Sequence, residues 1–167
     1  MNREGASPGV RVSLFVSGCR HHCKGCFNAE TWDFHFGEPY TDGVEDELMD
    51  MLAPGYIQGF TLLRGEPFEP ENQKVLVHLL KKMRETYPEK DVGCYSGYLY
   101  DVDMVEGGKV YTKVTTEMLS CIDTLVDGAF VEAKKDITLQ FRGSSNQRIL
   151  KKEDGEWKLY GKYMDTE

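Results

Sequence analysis

The sequence predicts an α/β fold built on a mainly parallel sheet, and three observations carry that prediction. Short β-rich apolar runs alternate with amphipathic helical stripes in the order strand, loop, helix, strand, helix, strand, helix, strand, the pattern of a parallel sheet with right-handed crossovers. The 167 residues are 40% hydrophobic, enough for one core, and no internal repeat or low-complexity linker divides them. A closed eightfold barrel takes about 250 residues. At most an open, partial (β/α) barrel fits, as a single domain over residues 1–167 with a charged tail from about residue 151.

The first strand is expected over Val10 to Ser17, with apolar residues at positions 10, 12, 14 and 16. A cysteine-rich loop begins where that strand ends, the side on which open α/β sheets and barrels place their sites. Residues 30–40, with Trp32, Phe34, His35 and Phe36, read as irregular chain covering that loop. Asp42 followed by Glu45 resembles a capping box, and Val44, Leu48, Met51 and Leu52 form a helical stripe ending before Pro54. Gly59 to Leu63 is a short buried strand that runs into Arg64-Gly65-Glu66-Pro67. Glu69-Pro70-Glu71 suits the first turn of a helix whose apolar face is Val75, Leu76, Leu79, Leu80 and Met83. Asp91 to Ser96 is a third strand, followed by short helices near residues 98–105 and 115–121, a fourth strand over Asp123 to Val126, and a fifth over Ile137 to Phe141. Asp154-Gly155 in the charged tail marks a hairpin or a loose end.

Composition excludes several classes of function. A net charge of −8 argues against nucleic acid as a partner, since phosphate binding relies on basic surface. No run of about 18 apolar residues is present, so no membrane span is expected. The first eight residues lack an apolar signal core, and the expected location is the cytoplasm. The five cysteines are odd in number and three are clustered, which favours metal or redox chemistry over a disulfide framework.

Cys19, Cys23 and Cys26 are spaced C-x3-C-x2-C. One loop so spaced brings three thiolates to one metal centre. A structural zinc site and an ordinary iron–sulfur carrier each take four ligands. Either a fourth ligand comes from elsewhere, with His21, His22 and His35 the candidates for zinc, or one metal position stays open for a small molecule. Cys94 and Cys121 lie in a predicted strand and helix and suit burial as small hydrophobes. Met49, Met51, Met83 and Met118 sit at core-like spacing, and His78 is expected to be structural.

These residues resemble the radical S-adenosylmethionine (SAM) superfamily and, more narrowly, the proteins that activate anaerobic ribonucleoside-triphosphate reductase. The resemblance covers roughly residues 8–150. It rests on Pro8-Gly9-Val10-Arg11, the cysteine loop with Gly25 before Cys26 and Phe27-Asn28 after it, Gly65-Glu66-Pro67, Tyr95-Ser96-Gly97-Tyr98, Leu125-Val126-Asp127-Gly128 and the run 142–148, Arg-Gly-Ser-Ser-Asn-Gln-Arg.

The resemblance implies a fold of radical SAM type and a [4Fe-4S] cluster held by Cys19, Cys23 and Cys26, with SAM chelating the fourth iron. Through that cluster the three cysteines would form the catalytic set. It further implies cofactor contacts from Gly25, Cys26, Phe27, Arg64, Gly65, Glu66, Pro67, Ser96 and Asp127. Gly65 would let the backbone approach closely, and Glu66 would offer an acceptor to a cationic ligand. Arg64 departs from the superfamily, which usually places a glycine there. If that position takes positive φ, an arginine is strained by ~1 kcal/mol or more.

The implied reaction is one-electron cleavage of SAM to a 5′-deoxyadenosyl radical, which takes hydrogen from a glycine of the large anaerobic ribonucleotide reductase. A small electron donor such as flavodoxin would reduce the cluster. The alternatives are an activase for another glycyl radical enzyme such as pyruvate formate-lyase, and a non-catalytic metal-binding or electron-transfer module. The pyruvate formate-lyase activases are usually longer and tend to carry a bulky residue where Gly25 stands. Residues 32–36 and 142–148 are the candidate contact regions for the protein substrate.

Overall fold

The computed structural model describes residues 10–21, 33, 39–63, 65–134, 136 and 144–159. Its elements are β1 (Val10–Phe15), α1 (Asp42–Leu52), β2 (Ile57–Leu63), α2 (Pro70–Thr86), β3 (Asp91–Tyr95), α3 (Tyr100–Asp103), α4 (Thr115–Ser120), β4 (Thr124–Asp127), β5 (Arg148–Glu153) and β6 (Glu156–Leu159). The six strands form one sheet in the order β1-β2-β3-β4-β5-β6.

The pairings β1–β2, β2–β3 and β3–β4 are parallel, as the alternation of strands and helices predicts. β4–β5 and β5–β6 are antiparallel. The sheet is therefore mixed, which corrects the expectation of a mainly parallel one. The charged tail is the cause. Its Asp154 (φ 52°) and Gly155 (φ 80°) form a tight turn with the paired positive φ values that match strand twist. Ile149 and Leu150 are buried on the strand before that turn, so the hairpin docks on β4. The strand expected over residues 137–141 lies outside the described residues.

Phe60, Leu62, Leu79, Leu80, Met83, Val92, Ile122 and Leu125 are fully buried and bind sheet and helices into one core. α2 packs against α4. The buried amide of Gln73 supports that contact. Its Nε2 donates to the carbonyls of Phe68 and Val110, and its Oε1 accepts the hydroxyls of Thr112 and Thr115. Cys94 and Cys121 are buried, as predicted, and burial pushes both thiols above their ordinary pKa.

Local details differ from the sequence-based expectation. The α1 cap is Thr41, whose hydroxyl accepts the Val44 amide, one residue before the predicted box. Met51 is exposed while Met49 is buried, and Val75 is exposed while Val77 is buried. In α2 the inward face runs through positions 73, 76, 77, 79, 80 and 83, the i, i+3, i+4 spacing of one helical stripe, and position 75, one turn before Leu79, falls at its exposed rim. His78 is exposed.

Arg11 is buried in β1. Its Nε donates to Thr61 Oγ1 and its Nη2 to the Phe60 carbonyl, each at 2.9 Å, and the guanidinium lies 2.5 Å from the Asp91 carboxylate. One cation thus ties β1 to β2 and to the start of β3. Gly59 leaves room for it, since a Cβ there would stand 2.9 Å from Arg11 Nη1. Among the described residues no helix is long and apolar enough to cross a membrane.

Candidate metal centre

The loops that leave β1, β2 and β3 meet at one edge of the sheet. The parallel pairing places all three strand ends on the same side. After β1, the chain from Val16 to His21 is laid along the segment that follows β2. The Val16 amide donates to the Leu63 carbonyl, the Ser17 carbonyl accepts Asn72 Nδ2, and the Gly18 carbonyl accepts the Glu66 amide at 2.8 Å.

Gly18 (φ 96°) and Gly65 (φ 54°) both take the left-handed conformation, which glycine adopts without a Cβ clash. A Cβ on Gly65 would stand 2.4 Å from the Val16 carbonyl oxygen. The close approach expected at Gly65 is therefore made by the chain's own first loop.

Glu66 is the hub of this edge. Its side chain is 1% exposed, and four donors surround it. Oε1 accepts the Gly97 amide at 2.6 Å and faces His21 Nε2 at 3.0 Å. Oε2 accepts the Ser96 hydroxyl at 2.7 Å and the Phe68 amide at 2.9 Å. With a carboxylate as the partner, His21 carries its proton on Nε2. The His21 ring packs on Tyr98 with centroids 4.1 Å apart, and a Cβ on Gly97 would stand 2.5 Å from His21 Nε2. Glycine is thus required at position 97 for the ring to sit there.

Cys19 lies buried within this frame. On its far side the Arg20 amide donates to Glu69 Oε2 at 2.6 Å, and the Tyr98 hydroxyl donates to Glu69 Oε1 at 2.8 Å. Burial, then the hydrogen bond to Glu69, raises the Tyr98 phenol above its ordinary pKa, with Cys19 among the charges near it.

The structure brings Cys19, Gly65, Glu66, Pro67 and Ser96 to one edge. Asp127 stands one strand over, at the end of β4. Its buried carboxylate accepts the Tyr100 amide at 2.8 Å and Arg148 Nε at 2.9 Å, so it joins α3 to the hairpin. The described part of the run 142–148 clamps the chain after β4. Asn146 Nδ2 donates to the Ala129 carbonyl, Gln147 Nε2 to the Gly128 carbonyl, and Ser144 Oγ accepts the Val131 amide. Cys23, Gly25, Cys26, Phe27 and Arg64 lie outside the described residues, as does the aromatic segment 32–36 except Asp33. Among the described residues no group of three metal-ligating side chains gathers.

Glu69, Asn72, Gly97 and Tyr98 were not assigned from the sequence, and His21 was named there only as a loop residue or candidate zinc ligand. Gly97 and Tyr98 lie inside a quoted motif. Glu69 looked like an ordinary first-turn acid, and nothing in the sequence showed that its side chain would turn away from the helix.

A strand-end loop that carries the buried Cys19 and is pinned by the turns of the next two strands defines an α/β domain with its candidate site at the strand ends. The sequence profile of the 4Fe-4S single cluster domain family matches residues 6–150, and the chain belongs to that family. It is 37% identical over 151 residues to the anaerobic ribonucleoside-triphosphate reductase-activating protein of Enterobacteria phage T4, covering 90% of each chain. It is 38% identical over 144 residues to the protein of that name from Escherichia coli K12, covering 85% of this chain and 88% of that one. The Vibrio cholerae protein of that name is 37% identical over 145 residues, with the same coverage. Within the family, the chain is a member of this group of activating proteins. No solved structure matches it.

Proposed function

We propose that the chain is a radical SAM activase that installs a glycyl radical on the large anaerobic ribonucleotide reductase. The observation that carries the reading is the convergence on Glu66 of the loops after β1, β2 and β3, with Cys19 buried among them. Cys19, Cys23 and Cys26 would hold the [4Fe-4S] cluster, a donor set of three thiolates that suits iron and leaves one metal position open. The parallel β1–β4 sheet with its site at the strand ends supports an open partial barrel of radical SAM type, with residues 1–167 as one such domain.

Bound together, the cluster and SAM would supply a 5′-deoxyadenosyl radical, with the electron coming from a small donor such as flavodoxin. The chain's own residues orient and enclose. Gly25, Phe27, Arg64, Gly65, Pro67, Ser96 and Asp127 complete the proposed cofactor surround. Glu66 fits a cationic amino group once one of its present donors yields. His21 is the donor placed to do so, because it comes from the cysteine loop, whereas the others belong to the turns after β2 and β3. The phage and bacterial relatives named above support the choice of the reductase as partner.

Anaerobic reconstitution tests the reading. Iron and sulfide should bind to the wild type and be lost in Cys19→Ala, Cys23→Ala and Cys26→Ala. With SAM and a reductant, 5′-deoxyadenosine should form. With the reductase added, electron paramagnetic resonance should show a glycyl doublet that vanishes when the partner's glycine is replaced by alanine. Stoichiometric zinc without iron or sulfide would overturn the cluster. An unchanged spectrum from the alanine partner would overturn the substrate.

A further inference from the structure

Glu69 sits where carboxylates are rarely found unless paired: its side chain is 1% exposed. It begins α2, and its carbonyl accepts the amides of Asn72 and Gln73, yet its side chain makes no capping bond to that helix. The carboxylate turns instead to the cysteine loop. Oε2 accepts the Arg20 amide at 2.6 Å, while Oε1 accepts the Tyr98 hydroxyl at 2.8 Å and Arg20 Nη1 at 3.1 Å.

The amide contact falls on the residue directly after Cys19. A charge-assisted bond from a main-chain N–H fixes both the place and the direction of the chain. The guanidinium contributes much less. The Arg20 side chain is 52% exposed and is shared with Glu71, and exposed ion pairs contribute little.

Given Cys19 as an iron ligand, as proposed above, we infer that Glu69 is a positioning residue for the cysteine loop. It holds the Cys19 main chain in register through the Arg20 amide and does not touch the metal. The Tyr98 hydroxyl fills the other oxygen and locks the carboxylate's orientation. Groups hydrogen-bonded behind a metal ligand typically change metal affinity by about 10–100-fold when removed.

The test follows iron release from anaerobically loaded protein to an iron(II) chelator, with iron and sulfide content measured first. Glu69→Ala should release iron about tenfold faster or more, and Arg20→Ala, which keeps the amide, should stay within about threefold of wild type. Glu69→Gln keeps an oxygen for the amide and should largely rescue the rate. Glu69→Asp keeps the charge but withdraws it by one methylene, and should release iron faster than Glu69→Gln. This pair decides the question if Glu69→Ala does not fold. Wild-type release from Glu69→Ala or Glu69→Asp overturns the inference, as does Arg20→Ala matching Glu69→Ala. A wild type that takes up no iron and sulfide removes the cluster reading itself. A loaded wild type with an indifferent Glu69 removes only the positioning role.

Discussion

The Glu66 carboxylate accepts the Gly97 amide at 2.6 Å, so the turn after β2 is bonded to the turn after β3 through a single buried side chain. The same carboxylate faces His21 of the first loop. Substituting Glu66 should therefore loosen three loops together. Glu66→Gln turns an NH2 group toward donors, leaving at least one buried donor unsatisfied at a cost of about 1–3 kcal/mol. Urea denaturation of the metal-free protein should show that loss, and an unchanged midpoint would remove Glu66 from its role as hub.

Gly65 and Gly55 make a matched pair. A Cβ on Gly65 meets the Val16 carbonyl oxygen at 2.4 Å and the residue has positive φ, whereas a Cβ on Gly55 has nothing within 4 Å. Gly65→Ala should cost about 1–2 kcal/mol from backbone conformation alone and more from the clash. Gly55→Ala should be neutral or slightly stabilising. Thermal melting of the two variants checks the contrast, and equal melting temperatures would contradict the close approach.

Arg11 binds three strands through one guanidinium. Arg11→Met should leave Thr61 and the Phe60 carbonyl short of donors and cost about 1–3 kcal/mol. The Asp91 oxygen facing Arg11 is buried, but the side chain as a whole is 36% exposed, which holds the loss below the 3–5 kcal/mol or so of a fully buried broken pair. Arg11→Lys should recover only part of it, since an ammonium lacks the fork geometry. Chemical denaturation of the two variants orders them.

Burial, followed by the charge of Glu66, holds the Cys94 thiol well above its ordinary pKa. In the unfolded chain a thiol ionises near pH 8.5. The stability from the neutral buried thiol is complete below that pH and falls as pH rises toward the folded value, because the unfolded state then binds fewer protons. The alkaline loss of stability should be shallower in Cys94→Ala than in wild type. Iodoacetamide at pH 8 should leave Cys94 unmodified in the native protein, with peptide mass spectrometry as the readout.

The alternation of apolar runs made β1 to β4 and the helices between them legible, because strand and helix periods differ sharply there. The hairpin was half legible: Asp154-Gly155 announced a turn, but the charged Lys151, Lys152 and Glu153 hid the burial of Ile149 and Leu150 just before them. Helix phase was misjudged at Met51 and Val75, where hydrophobicity alone did not decide which face turned inward. At the site, Gly65, Glu66 and Ser96 were legible as motif residues. Their mutual bonds were not, because a sequence does not show which of a carboxylate's possible donors will surround it. Arg11 was quoted only as part of a motif, since a cation inside a strand gives no sign of its partner fifty residues away.

The antiparallel hairpin also governs how the protein behaves in a crowd of its own copies. β4 is buried at all four positions, and without β5 beside it, its N–H and C=O groups would be open to any passing strand. β6, the outer strand on the hairpin side of the described sheet, is short and carries Glu156, Lys158 and Leu159 on its surface. Trp157 anchors it by packing on Tyr100 with ring centroids 5.7 Å apart. Short, charged outer strands are poor templates for sheet extension. The hairpin thus replaces an adhesive border with a repellent one, and removing it should promote β-rich precipitation, which light scattering and infrared spectroscopy would register.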